Sequence, residues 1–313
     1  MKIVKFIIKK LCNLILTLFV VSCITFILMN SIPGNPFLTE TSQNKQTQKV
    51  LEEQYGLDQP LVVRFVEWGK GILYGDWGIS YNLQRNRPVL EIIKELLPNS
   101  LRIGLISLIL SLVVGICFGC LNAFTENRFI KSGLNLFSVI SIAIPGFVFS
   151  TLLLIVFCVC LKVLPTSGLD SWQSYILPCV AQSIYPTGYI ANLVYNSLIE
   201  IQNKEYILTA VAYGCKKNTI VLKYSLTNAL FPVFSYLGTL TSTILVGSFA
   251  TESIFNISGL GRYFVKSIIN RDYSLIMGIT LIFSIITVVS NMIIEILYFV
   301  LNPKLRNGET YNE

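Results

Sequence analysis

Six stretches of this chain carry no Asp, Glu, Lys or Arg: residues 11–29, 103–124, 132–161, 171–199, 224–251 and 273–294. A helix needs roughly 20 predominantly apolar residues to cross a bilayer, because in lipid every backbone polar group must be satisfied within the segment. All six reach that scale. The fourth is the weakest, interrupted by Pro178 and Pro186, yet proline is tolerated where neighbouring helices enclose the kink. Only 13% of the 313 residues are charged, against about a quarter in a soluble globule. The chain lacks the charge to cover a water-facing surface. An all-α membrane protein with six transmembrane helices is expected.

Lys2, Lys5, Lys9 and Lys10 precede the first stretch, as in a signal peptide. The uncharged run exceeds the ~7–15 residues of a signal core, however, and no small-residue cleavage site follows, so a retained anchor is expected. Lys and Arg in short loops favour the cytoplasmic side. With the N-terminus inside, twelve of them fall there, including Arg128, Lys131, Lys204, Lys216, Lys217, Lys223, Lys304 and Arg306. Apart from the long first external segment, where the rule has little force, only Lys162, Arg262, Lys266 and Arg271 fall outside. Both termini are therefore expected in the cytoplasm. The net charge of +7 follows from this bias and calls for no nucleic-acid partner. Seven of the eight cysteines lie in the uncharged stretches and Cys215 in a cytoplasmic loop, so no disulfide framework is suggested. Cys117-x-x-Cys120 reads as small packing residues in an apolar helix.

The expected organisation is a cytoplasmic tip and first span (1–30), an external segment (31–98), a five-helix membrane core (99–301) and a cytoplasmic tail (302–313). The external segment should hold two short helices. One lies over 48–56 and ends at Gly56. The other starts after Pro60, with Val62, Phe65, Val66 and Ile72 near one face. The charges of this segment nearly cancel, which suits a docking surface or an ordinary solvated loop. No glycine-rich GxxxxGK[ST] loop is present, so ATP is not bound by that route. The absence of histidine excludes His-based metal sites and Ser–His or Cys–His catalysis. No catalytic, metal or cofactor residue is expected. Glu295 is the one carboxylate clearly within a span, and a position near the cytoplasmic interface accounts for it, a role in transport being the alternative.

One cytoplasmic segment is more than a connector. In "EYILTAVAYG" (205–214), Tyr206, Ala210 and Tyr213 share a helical face with Ile207 and Val211 beside it. Gly214 stands where a left-handed C-cap would sit. Asn218 can cap a second helix bearing Ile220, Val221, Tyr224 and Leu226, before Pro232 begins the next span. Helix, glycine turn, helix makes a knob tethered at both ends; a solvated amphipathic loop would read the same.

The segment resembles the cytoplasmic loop signature of ABC importer permeases of the oligopeptide, dipeptide and nickel branch. "EYILTAVAYG" and "LKYSLTNALFPV" (222–233) keep that branch's spacing from Gly214 to Pro232. So, in order along the chain, do "YGLDQPL" (55–61), "GDWGISY" (75–81), "RPVLEIIKELLPNSL" (87–101), "LPTSGL" (164–169), "NRDYSLIMG" (270–278) and "LNPKLR" (301–306). Residues 247–273 look most like the first membrane subunit of oligopeptide permeases. The sequence departs at Leu208 and Val211, which replace arginines, at Tyr213, which replaces a lysine, at Thr227, which replaces an arginine or lysine, and at Ile257-Ser258. The loop is thus less basic than the family pattern.

The resemblance implies a type I ABC importer permease fold in the bacterial cytoplasmic membrane. It implies an ATPase-coupling role for Glu205, Tyr206, Thr209, Ala210, Gly214, Asn218 and Pro232. The implied partners are a homologous second permease, two cytoplasmic ATPase subunits, an external substrate-binding protein and a peptide substrate. Dipeptide or nickel-chelate import is the alternative within the branch. A membrane-embedded enzyme or an ATP-independent channel is the alternative outside it.

Overall fold

The computed structural model describes residues 2–31, 59–216, 219–246 and 249–301. In chain order the helices are α1 (Lys2–Ser31), α2 (Leu61–Tyr74), α3 (Val89–Phe124), α4 (Arg128–Ala143), α5 (Gly146–Leu153) and α6 (Gln173–Gln202). Then follow α7 (Glu205–Ala212), α8 (Leu226–Ala229), α9 (Phe231–Leu245), α10 (Phe249–Ile254), α11 (Leu260–Ile269) and α12 (Tyr273–Leu301). Wider π-helical turns extend α5 over Leu154–Cys160 and precede α8 over Ile220–Ser225. Among the described residues the β-structure is one isolated bridge, Ile79 with Pro88. The chain divides into two compact units, Met1–Ser100 with Ser258–Val288, and Leu101–Ile257 with Val289–Glu313.

Among the described residues, helix occupies most of each charge-free stretch. Four runs among the described residues are long and apolar enough to cross a membrane: Cys12–Ser31, Val89–Phe124, Leu226–Ile254 and Tyr273–Leu297. The third stretch is not one straight helix. Arg128–Ala143 and Gly146–Cys160 meet at 108°, and count as a fifth span only if taken together. Pro145 is the cause. A proline's ring pushes the residue before it out of the helical region. Ile144 accordingly sits at φ −90° and ψ 127°, and α5 restarts at Gly146.

The fourth stretch, α6, is 30 residues long but is not apolar enough to join the four. Its position explains why. It is the central helix of the second unit, packed by α4, α5, α9 and α7, so little of its surface has to match lipid. Pro178 and Pro186 lie buried inside it, enclosed by neighbours as a proline-containing span requires. Small residues let those neighbours approach. A Cβ on Gly119 of α3 would lie 2.6 Å from Val194 Cβ, and one on Gly188 would lie 2.6 Å from Ser141 Cβ of α4.

In the first unit, Val89, Ile92, Ile93 and Leu96 pack with Leu260, Leu275 and Ile279. Beside this core the Asp272 carboxylate is fully buried. It accepts hydrogen bonds from the Ser80 hydroxyl and from the backbone N–H groups of Tyr81, Asn82 and Leu83 at 3.1, 3.2 and 3.1 Å. The loop ahead of α3 is thus clamped to the turn between α11 and α12.

α2 starts behind Pro60 as expected. Phe65 packs against Phe26 and Trp68 at centroid distances of 5.3 and 5.9 Å, with the Arg64 guanidinium 5.7 Å above Phe26. Val62 and Val66 are 74% and 46% exposed. Phe65, Trp68 and Ile72 form the half-buried stripe of α2. The helix expected over 48–56 lies outside the described residues.

Candidate functional site

α7 is a helix of eight residues, too short to hold itself in water, so it depends on its anchors. The first is Ile207, buried in the core of the second unit with Leu198, Ile201 and Ala229. The second is the end of the helix. Gly214 adopts φ +73°; its N–H donates to Val211 O at 2.9 Å, and the Cys215 N–H donates to Ala210 O at 3.1 Å. These are the two bonds of a Schellman stop, which needs a left-handed residue at the glycine position. The third is Tyr206, whose hydroxyl accepts from Asn228 Nδ2 of α8 at 3.4 Å.

The remaining predicted residues separate by role. Glu205 occupies the first turn, where a carboxylate complements the helix dipole. Thr209 turns its hydroxyl inward to Glu205 O at 2.8 Å. Ala210 is half-buried. Pro232 is not part of the knob; it sits exposed in the first turn of α9, where its missing N–H costs nothing. Asn218 lies outside the described residues. At the foot of α6, Lys204 pairs with Glu200 at 2.8 Å, and that ammonium holds the Glu200 carboxyl below its ordinary range. The pair is exposed and adds little stability.

Beside exposed Glu205 and Thr209, α7 and the residue that ends it present an apolar edge outward. Leu208, Val211 and Tyr213 are 60%, 57% and 85% exposed. Single exposed aliphatic residues are ordinary, but these share one short, anchored element. Leu208 and Val211 are two of the positions where the sequence departs from the family's arginines, and that departure is the signal that could have marked them. A separate cavity of about 330 Å³ in the first unit is lined by Phe26, Arg64, Glu67, Trp68, Tyr81 and Tyr273 among others; no predicted site residue borders it. The described residues contain no cluster of three His, Cys, Asp or Glu placed to hold a metal.

Residues 115–307 match the family described as binding-protein-dependent transport system inner membrane component, and residues 3–104 match its N-terminal membrane component. The chain is 35% identical to the dipeptide transport system permease protein DppB of Bacillus subtilis, covering 96% of this chain and 98% of that one. It is 33% identical to the oligopeptide transport system permease protein OppB of Haemophilus influenzae, covering 96% and 99%. It is also 33% identical to the glutathione transport system permease protein GsiC of Escherichia coli, covering 96% and 98%. Among solved structures, an inward-facing form of the MetNI methionine ABC transporter superposes with a TM-score of 0.54 at 16% identity, over 68% of this chain and 97% of that one. That likeness carries the fold. With its helices, its glycine-stopped knob and these matches together, the chain belongs to the family of inner membrane components of binding-protein-dependent transport systems.

Proposed function

We propose that this chain is a membrane permease subunit of an ATP-driven importer and carries peptides into the cytoplasm. Hydrolysis takes place on separate ATPase subunits, and α7 is the part that follows their movement. The observation that carries this reading is the apolar outer edge of α7, Leu208, Val211 and Tyr213, on a helix fixed by Ile207 and stopped by Gly214. A coupling element must be rigid, since a ligand or partner shifts a conformational equilibrium only through contacts that differ between the two states. Glu205, Tyr206, Thr209, Ala210, Gly214 and Asn218 belong to the same element in this reading, and Pro232 sets the start of the helix behind it.

The partners are a homologous second permease, two cytoplasmic ATPases and an external binding protein that delivers substrate. Relatives named for dipeptides, oligopeptides and glutathione support peptide as the substrate class. Co-reconstitution with its partners in liposomes tests the reading. Uptake of labelled peptide should require ATP and loaded binding protein, and permease alone should pass none. Flux through permease alone would make the chain a channel.

The orientation has its own test. In a Cys160→Ser background, a membrane-impermeant thiol reagent should leave Cys215 unlabelled in intact cells and label it after lysis. Cys160 is replaced because it is exposed at the end of the π turn. Labelling of Cys215 before lysis would place the knob outside and reverse the topology.

A further inference from the structure

Within the second unit, the spanning helices show the outside two kinds of surface. α3 exposes Leu105, Ile109, Val113 and Leu121, and α4 and α5 expose Leu136, Val139, Leu152 and others like them. That is what lipid demands. Among the described residues, α6 and α9 expose no large aliphatic side chain at all. α6 instead exposes Tyr185, Asn192 and Asn196 with half-buried Tyr189 in line between them, spacings that fall on one helical face. α9 exposes Ser235, Thr239 and Thr243 at four-residue intervals, again one face.

The two stripes meet. The Tyr189 ring lies 4.3 Å from that of Tyr236 on α9 and 6.4 Å from that of Tyr185. The Asn196 amide donates to Asn192 Oδ1 at 3.1 Å. Gln182 Nε2 donates to Ile244 O at 3.0 Å, fastening the helices to each other. α6 and α9 thus carry rows of hydroxyl, amide and phenol groups on helices held together by these contacts, with no charged residue between Gln182 and Asn196 or along α9.

Thr243 donates to Thr239 O, and Asn196 to Asn192, but turned to lipid the remaining donors and acceptors of these rows would lack partners, which is costly in hydrocarbon. Polar side chains within spans face a bundle interior or a water-filled path. We propose that the joined face of α6 and α9 is a wall of the route along which peptide moves. The proposal rests on the import reading above. The chemistry fits that occupant: uncharged donors and acceptors can exchange hydrogen bonds with any peptide backbone, and the tyrosine cluster offers flat, amphipathic surface to side chains. A wall without charge admits acidic and basic peptides alike.

Charge placed on the wall tests this. Thr239 is exposed in the middle of the α9 stripe. Thr239→Lys and Thr239→Asp importers are compared with wild type for uptake of two labelled peptides of equal length, one rich in lysine and one rich in glutamate. Relative to wild type, Thr239→Lys should slow the lysine peptide about fivefold more than the glutamate peptide, the factor set by two unit charges passing at ~4 Å in water. Thr239→Asp should reverse the preference. Should either variant fail to assemble, Thr239→Cys, modified after assembly with a cationic or an anionic thiol reagent, gives the same comparison. Equal slowing of both peptides, or a cysteine that no water-soluble reagent reaches in the assembled complex, would mean that a partner helix covers this face and would overturn the proposal. Failure of the wild-type complex to take up either peptide would instead sink the import reading itself.

Discussion

Replacing Asp272 with alanine should cost the first unit about 3–6 kcal/mol, the largest loss expected from any single substitution considered. Its carboxylate accepts from one hydroxyl, three backbone N–H groups of the loop and the Leu275 N–H while fully buried. Removing it leaves those donors inside the protein with nothing to bind, at ~1–3 kcal/mol for each left unsatisfied. Ser80 is fully buried and cannot reach water without the loop opening, while Tyr81, Asn82 and Leu83 are half-buried. The loss is large against the ~5–15 kcal/mol that holds a typical domain together. Asp272→Asn keeps an acceptor oxygen but gives up the charge, and should fall between alanine and wild type. Thermal unfolding followed by tryptophan fluorescence, with Trp77 packed against this core, reads the difference. Proteolysis should then cut between Ile79 and Pro88 well below the wild-type melting temperature. An alanine variant that melts with wild type would show that the clamp does not hold the loop.

The sequence made some of these features plain and hid others, for physical reasons. Spans could be located because hydrocarbon excludes charge, and Gly214 because a left-handed stop favours glycine so strongly. The bend at Pro145 was present as Ile-Pro-Gly within an uncharged run, but locating charges alone does not register a break in helix direction. On α7, Ile207 and Leu208 are equally apolar. In so short a helix, composition cannot say which one is buried, and the structure buries Ile207 while leaving Leu208 60% exposed. Asp272 stood inside a motif but reads locally as an ordinary turn acid. Its function depends on Ser80 to Leu83, about 190 positions away in sequence, where no local pattern reaches. The polar stripes of α6 and α9 were hidden because Ser, Thr, Asn and Tyr pass any search for charge-free runs.

The coupling role of α7 yields the second large effect. Leu208→Glu with Val211→Glu places two carboxylates on a surface argued to be buried against an ATPase. Losing two aliphatic contacts of this size removes about 3–6 kcal/mol, enough to weaken docking at least ~100-fold. Neither residue anchors α7, since Ile207 and the Gly214 stop do that, so the knob and the spans should remain folded. Gly214 gives a graded companion series. A Cβ there would meet nothing within 4 Å, so the penalty is purely that of the backbone. Asparagine tolerates the left-handed region and should retain coupling, whereas valine is strained by ~1–2 kcal/mol and should reduce it ~5–30-fold. The deciding measurement is ATP hydrolysis by the complex in proteoliposomes, with and without binding protein loaded with peptide. The account predicts strong stimulation in wild type and in Gly214→Asn, reduced stimulation in Gly214→Val, and none in the Leu208→Glu, Val211→Glu chain even though it still assembles with the second permease. Full stimulation in that double variant would contradict it, leaving α7 as a connector and placing the coupling elsewhere.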